Sequence, residues 1–389
     1  MDFKKLDDLL KHFIEVGPCG CAVSVSLDGQ VIYEQYEGYA DQAKTIKLGP
    51  ASLFRIFSNT KVFTMVALLK LYERGLFLLN DPLYAYMPEF SDMQVYCSTG
   101  NGVLQVEKAK RPIRIMDLLT MTSGLTYEGV ATPTEQETKK VMDSLEAKGG
   151  YTVREFCYAI SKVPLAFHPG THWHYGYSHD VVGGLIEVLS GKSFGQFLNE
   201  EVFTPLGIKN TFFFLNKENE ENLTHLYTPT ISGLIENKEY EHMYKRDHMF
   251  ESGGAGLLST LQDTARLGQM LAMGGTLNGE RILGRKTIDM MRRNHLTGDA
   301  MADFVATHSN GWDFLKGYGY GLGVRTLIDP VAGGWNGTPG EFAWAGAAGT
   351  YMLVDPEERL SVSYMQQLRP GNMEEYTTPR LRSVVYGML

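Results

Sequence analysis

At 389 residues the chain can bury an extensive core and exceeds the usual single-domain size, which predicts one composite unit or two closely packed domains. Its 36 basic and 45 acidic residues leave a net charge of −9, so neither nucleic acid nor an anionic membrane surface is an expected partner. Residues 1–16 mix charged and apolar positions as an amphipathic helix does, and no stretch approaches the roughly 18 uncharged apolar residues that span a bilayer. A cytoplasmic location without a membrane partner is the expectation, and Cys19, Cys21, Cys97 and Cys157 are then reduced thiols of the core.

After the first helix, residues 21–26 and 30–36 flank Asp28-Gly29, a turn pair that favours a tight antiparallel hairpin. Residues 58–74 are mostly helix formers around a continuous apolar middle at 62–69, and Gly75 stands where a helix ends, which predicts a buried helix. From 81 to 245 turn signals alternate with helical segments at 117–121, 152–160 and 180–189. The last third predicts a helix at 261–273, strands at 321–327, 348–354 and 360–366, a turn at 355–358 and a closing helix at 378–386. The fold class expected is α+β. Residues 1–80 and 246–389 form an antiparallel sheet domain flanked by helices, residues 81–245 a mainly helical domain, and the active site lies in the cleft between them.

Three segments carry chemistry. In Ser58-Asn59-Thr60-Lys61 a helix starting at or just after Ser58 puts its hydroxyl at the positive end of the helix dipole and Lys61 on the same face. A lysine buried against a hydroxyl can take its proton, and the apolar run after Lys61 makes a free ammonium there costly. Trp173-His174-Tyr175-Gly176-Tyr177-Ser178-His179-Asp180 precedes an apolar helix, so a tyrosine of this loop can offer its phenol to a cleft as a second proton carrier. Trp344-Ala345-Gly346-Ala347-Ala348-Gly349 is small enough for backbone to approach a ligand and donate to an oxyanion. His172, His174 and His179 lack acidic or cysteine ligands at close spacing, so no metal is expected, and no cofactor. Aromatic segments at 84–90, 96, 212–214 and 240–250 are candidates for a pocket wall.

Taken in order, Ser58 to Lys61, Tyr177 to His179 and Trp344 to Gly346 resemble the three active-site motifs of the serine β-lactamase and penicillin-binding-protein superfamily, in particular its class C-like branch of family VIII carboxylesterases. Leu118 to Leu125, Pro169-Gly170-Thr171 and Gly253 to Leu257 are similar to further landmarks. The resemblance implies that Ser58 is the acylated nucleophile, that Lys61 and Tyr177 share the general-base work, and that the Ser58 and Ala347 amides form the oxyanion hole. Trp344, Gly346 and His179 are implied substrate contacts. Trp344-Ala345-Gly346 stands where Lys-Thr-Gly is usual in β-lactamases of this type, so that cation is missing, and small esters are favoured over anionic β-lactams. His179 replaces an amide residue and Met121 a common histidine. The expected function is a serine hydrolase acting through an acyl-enzyme on a small ester or amide. β-Lactamase, D-amino-acid peptidase, acyltransferase and a catalytically silent relative are the alternatives.

Overall fold

The two ends of the chain meet in one sheet. In the structure, a computed structural model that describes residues 2–98, 104–309, 312–371 and 373–389, β1 (Gly20–Leu27) pairs with β2 (Gln30–Gly38) on one side. On its other side lies β7 (Leu360–Met365), with Ala22 opposite Met365 and Leu27 opposite Leu360. The sheet continues through β6 (Tyr351–Asp355), β5 (Phe342–Ala345) and β4 (Arg325–Leu327) to β3 (Tyr318–Tyr320). All six pairings are antiparallel, giving the order β3-β4-β5-β6-β7-β1-β2.

β1 is buried on both faces because helices cover both. Cys21, Val23 and Val25 point one way, onto Leu6, Leu10 and Phe13 of α1 (Lys4–Val16) and Leu381 and Val385 of the closing helix Met373–Tyr386. On the other face small residues prevail. A side-chain carbon on Gly268 would stand 3.2 Å from Ser361, so the helix Leu261–Ala272 lies close against the sheet there. Between sheet and helical region runs α2 (Thr60–Glu73), the buried helix expected from its apolar middle. Every residue from Thr60 to Leu69 is buried, and Gly75 takes φ +71° just past its end. α3 (Ser178–Ser190) packs against α2, and its own segment Val181–Ile186 is buried.

Several expectations change. The single strand expected at 321–327 is a hairpin, because Gly321 donates to the Val324 carbonyl (2.7 Å) and Gly323, at φ +73°, turns the chain between β3 and β4. The strand expected from 348 starts at Tyr351, since residues 346–349 form a turn closed by the Gly349 amide on the Gly346 carbonyl at 2.8 Å. The closing helix begins earlier, at Met373. The helix Pro133–Glu146 was not foreseen, although Thr132 and Glu135 form the reciprocal capping box that marks its start. The 81–245 region also holds two small hairpins, Gln94–Ser98 with Leu104–Lys108 and Tyr227–Thr230 with Gly233–Glu236. The four cysteines are unpaired, and burial pushes the Cys21 thiol up to about 12. Among the described residues no helix is long and apolar enough to cross a membrane.

Candidate active site

Ser58 sits on a single tight turn, Phe57–Asn59, that feeds directly into α2. The turn is held from three sides. Phe57 takes a left-handed backbone (φ +41°), a conformation costly for a bulky residue and found where surrounding structure imposes it. Asn59 Nδ2 donates to Thr350 Oγ1 at 3.0 Å, and Thr350 Oγ1 donates to the Ile56 carbonyl at 3.1 Å. Gly346 is the third support. A side-chain carbon there would stand 2.2 Å from the Ile56 carbonyl, so only glycine lets the turn after β5 approach the Ser58 turn. Ala347, next in that turn, makes no hydrogen bond through its amide among the described residues, and it lines the same cavity as Ser58.

Lys61 is fully buried, one helical turn after Ser58. Its Nζ donates to the Gly254 carbonyl at 2.8 Å, to Tyr127 Oη at 3.1 Å and to Ser58 Oγ at 3.3 Å. It also stands 4.6 Å from the ring centroid of Tyr175 and 5.7 Å from that of Tyr127. Burial lowers its pKa from 10.5 to about 7, against the opposing pull of Asp180. Asp180, equally buried, accepts from Ser252 Oγ at 2.5 Å and from the Gly254 amide at 3.1 Å, and burial raises its pKa. Both partners move towards their neutral forms, because the attraction between them does not offset the loss of water around either. Near neutral pH a large share of Lys61 is therefore the free amine, in which two N–H groups serve the Gly254 carbonyl and Tyr127 Oη and the lone pair is left towards Ser58 Oγ in place of the third donation.

The tyrosines correct the expectation for this site. Tyr177 Oη donates to Glu128 Oε2 at 2.6 Å, and burial followed by the Glu128 charge holds its pKa well above the usual phenol value. Its hydroxyl is turned to a carboxylate that disfavours phenolate, and Lys61 donates to Tyr127 instead. Tyr175, two residues upstream, carries the ring facing the Lys61 amine, and its hydroxyl accepts from the Trp344 indole at 3.1 Å. The local reason is the start of α3. Tyr177 is the residue that caps it and is 8 % exposed, packed on Tyr127 and Phe156, whereas Tyr175 lies in the preceding loop.

The expected substrate contacts are corrected too. His179 is fully buried within α3, with neither ring nitrogen hydrogen-bonded among the described residues, and lies behind Gly323 rather than in the cavity. Burial, and then the Lys61 charge, hold it well below the usual histidine value, hence neutral. Trp344 is 5 % exposed and acts on Tyr175, stacked at 5.5 Å, not on open space. Gly346 is a packing position, and Ala347 alone of the four lines the cavity. His172 and His174 face Asp303 and Glu135, so the histidines of this loop diverge. The cavity measures about 630 Å³, and its walls include Tyr127, Tyr175, Tyr177, Tyr240 and Phe250. The 240–250 segment thus supplies wall residues as anticipated, while Phe212–Phe214 line a different depression and the 84–90 segment none of this one.

A serine on a strained turn, a buried lysine with a depressed pKa beside it, and a sheet shared by both chain ends define the β-lactamase/transpeptidase-like fold of a serine hydrolase superfamily. The chain belongs to the Beta-lactamase family, whose family model matches residues 6–386. It is similar to Protein Rv1367c of Mycobacterium tuberculosis, 29% identical over 338 residues, 86% of this chain and 82% of that one. Esterase EstB of Burkholderia gladioli is 26% identical over 389 residues, covering 94% and 90%. Among solved structures, simvastatin synthase LovD from Aspergillus terreus superposes with TM-score 0.85 at 21% identity, covering 100% and 99%.

Proposed function

We propose that the protein hydrolyses small carboxylic esters through an acyl-enzyme on Ser58. The observation that carries this reading is the Lys61 amine, buried, partly neutral near pH 7 and 3.3 Å from Ser58 Oγ. Ser58 Oγ attacks the ester carbonyl while Lys61 takes its proton, and the tetrahedral oxyanion is received by the Ser58 and Ala347 amides. The proton then passes to the departing alkoxide. Tyr175 is the carrier, its oxygen fixed by the Trp344 indole and its ring against Lys61. A water then gives up its proton to the same pair, attacks the acyl carbonyl and releases the acid, regenerating Ser58.

Similarity to an esterase over nearly the whole chain supports esters as the substrate class. So does Trp344, an indole in the motif position where β-lactamases of this type carry a cation, and here engaged with Tyr175. The test is turnover of p-nitrophenyl acetate and butyrate against nitrocefin, with Ser58→Ala as control. Ester cleavage that vanishes in Ser58→Ala, with nitrocefin at least tenfold slower, is the expected result. Faster nitrocefin cleavage would replace the esterase reading by a β-lactamase one.

A further inference from the structure

Beside the nucleophile stands a cation that the mechanism above does not use. Arg369 follows β7, and its amide donates to the Tyr227 carbonyl at 2.7 Å, while the neighbouring Leu368 amide donates to the Ala348 carbonyl at 3.1 Å. Its backbone is thereby tied to the turn that carries Ala347. The guanidinium lies 4.2 Å from the Tyr240 ring centroid and 5.5 Å from that of Phe57, the residue before Ser58, and those two rings meet edge to face at 5.5 Å. Arg369 lines the cavity that holds Ser58 and Ala347. Of the cavity's carboxylates, Glu128 is engaged with Tyr177, Asp143 with Lys139, Glu146 with Tyr151 and Asp180 with Ser252, while Glu239 stands beside Tyr240, the ring under Arg369. No carboxylate among the described residues lies within ion-pairing distance of Arg369.

The geometry points to Arg369 as a specificity-determining clamp for a substrate whose ester carries an anionic oxyacid group, carboxylate or phosphate, close to the reacting carbonyl. The two aromatic faces hold a planar guanidinium at low conformational cost and leave its edge N–H groups for a two-point bond to such an anion. Arg369 is half-buried, so its charge is screened less than on open surface. The inference rests on Ser58 being the nucleophile, since that is what makes the neighbourhood of Arg369 the place where substrate sits.

The experiment compares kcat/KM for mono(4-nitrophenyl) glutarate with that for its methyl-capped neutral diester. Parallel arms carry a phosphonate on the acyl half or a carboxylate on the leaving half, as 4-acetoxybenzoate against its methyl ester. The expected result is a preference of about tenfold or more for the anion in at least one arm at low salt, the size usual for a hydrogen bond to a charged group. That preference shrinks at high salt, collapses in Arg369→Met and is partly kept in Arg369→Lys. Each variant's anion rate is divided by its own neutral-ester rate, so a general loss of folding or catalysis cancels. The arm that responds tells carboxylate from phosphate and acyl half from leaving half. Equal rates for anionic and neutral esters in every arm of the wild-type protein, or a preference that survives Arg369→Met, overturn the proposal. If even the neutral esters are untouched, the hydrolase reading has failed, and calorimetric binding of glutarate to wild type and Arg369→Met still decides on Arg369.

Discussion

Replacing Lys61 by methionine makes the protein's stability lose its dependence on that amine, with a sign and size that follow from burial. In the unfolded chain a lysine keeps its proton to about pH 10.4, whereas folded Lys61 releases it at about 7. Between those values the unfolded chain binds more protons, so the stability of the wild-type protein rises with pH relative to Lys61→Met. From pH 7, where half the folded amine is already neutral, to pH 9 the gain is about 2 kcal/mol. An unfolding entropy of about 2.1 cal/mol/K per residue gives about 0.8 kcal/mol/K for 389 residues, so this gain is about 3 K in Tm. Asp180 acts in the opposite sense, its raised pKa costing stability as pH climbs from the ordinary carboxylate range. Differential scanning fluorimetry of both proteins at half-unit steps from pH 6 to 9 reads the difference directly. A Tm gap that widens in favour of wild type by about 3 K agrees with a neutralised buried amine; a gap constant across the range refutes it.

The acid limb of kcat/KM for a neutral ester should fall with a midpoint near pH 7, as Lys61 takes up its proton and ceases to be a base; a plateau to pH 5 would contradict this. Tyr175→Phe should lower kcat by about a hundredfold or more and Tyr177→Phe by less than tenfold, measured in parallel, and the reverse order would make Tyr177 the proton carrier. Gly346→Ala should cost about 1–3 kcal/mol in urea unfolding and slow acylation of Ser58, because the added carbon meets the Ile56 carbonyl. Glu341 is fully buried, pairs with Arg382 and accepts from Tyr318 at 2.8 Å and Tyr386 at 2.9 Å. Glu341→Gln should therefore destabilise by about 3–5 kcal/mol in the same assay, by leaving a buried guanidinium uncompensated.

What could be read from the residues alone follows from how local each signal is. The buried α2 with Ser58 and Lys61 at its head was legible because a single helical turn and an apolar run determine it. That strands from both ends share one sheet followed from strand and turn signals at the two ends with helices between them, whereas the direct pairing of β1 with β7 is a long-range contact that no local signal carries. Tyr175 was missed in favour of Tyr177 because both lie in one short aromatic loop. Only the position at which α3 begins decides which phenol faces the lysine and which turns to Glu128. The Trp344 and His179 expectations failed for the same reason: a motif position gives proximity to the site, and packing decides whether a side chain reaches substrate or supports a neighbour. Tyr127 directly follows the Thr-Ser-Gly-Leu-Thr stretch at 122–126, so the landmark that marks its contact with Lys61 lies beside it in the sequence. Arg369 had no such marker, since its neighbours Phe57 and Tyr240 lie hundreds and more than a hundred positions away.

The central claim, that Ser58 becomes acylated because Lys61 accepts its proton, is tested most directly by intact-mass and peptide mapping after brief exposure to a fluorophosphonate at pH 8. One adduct per chain, located on Ser58, lost in Ser58→Ala and formed at least a hundredfold more slowly in Lys61→Met, is the predicted result. An adduct on any other residue, or one that forms on Ser58 at the same rate without the Lys61 amine, would contradict the account.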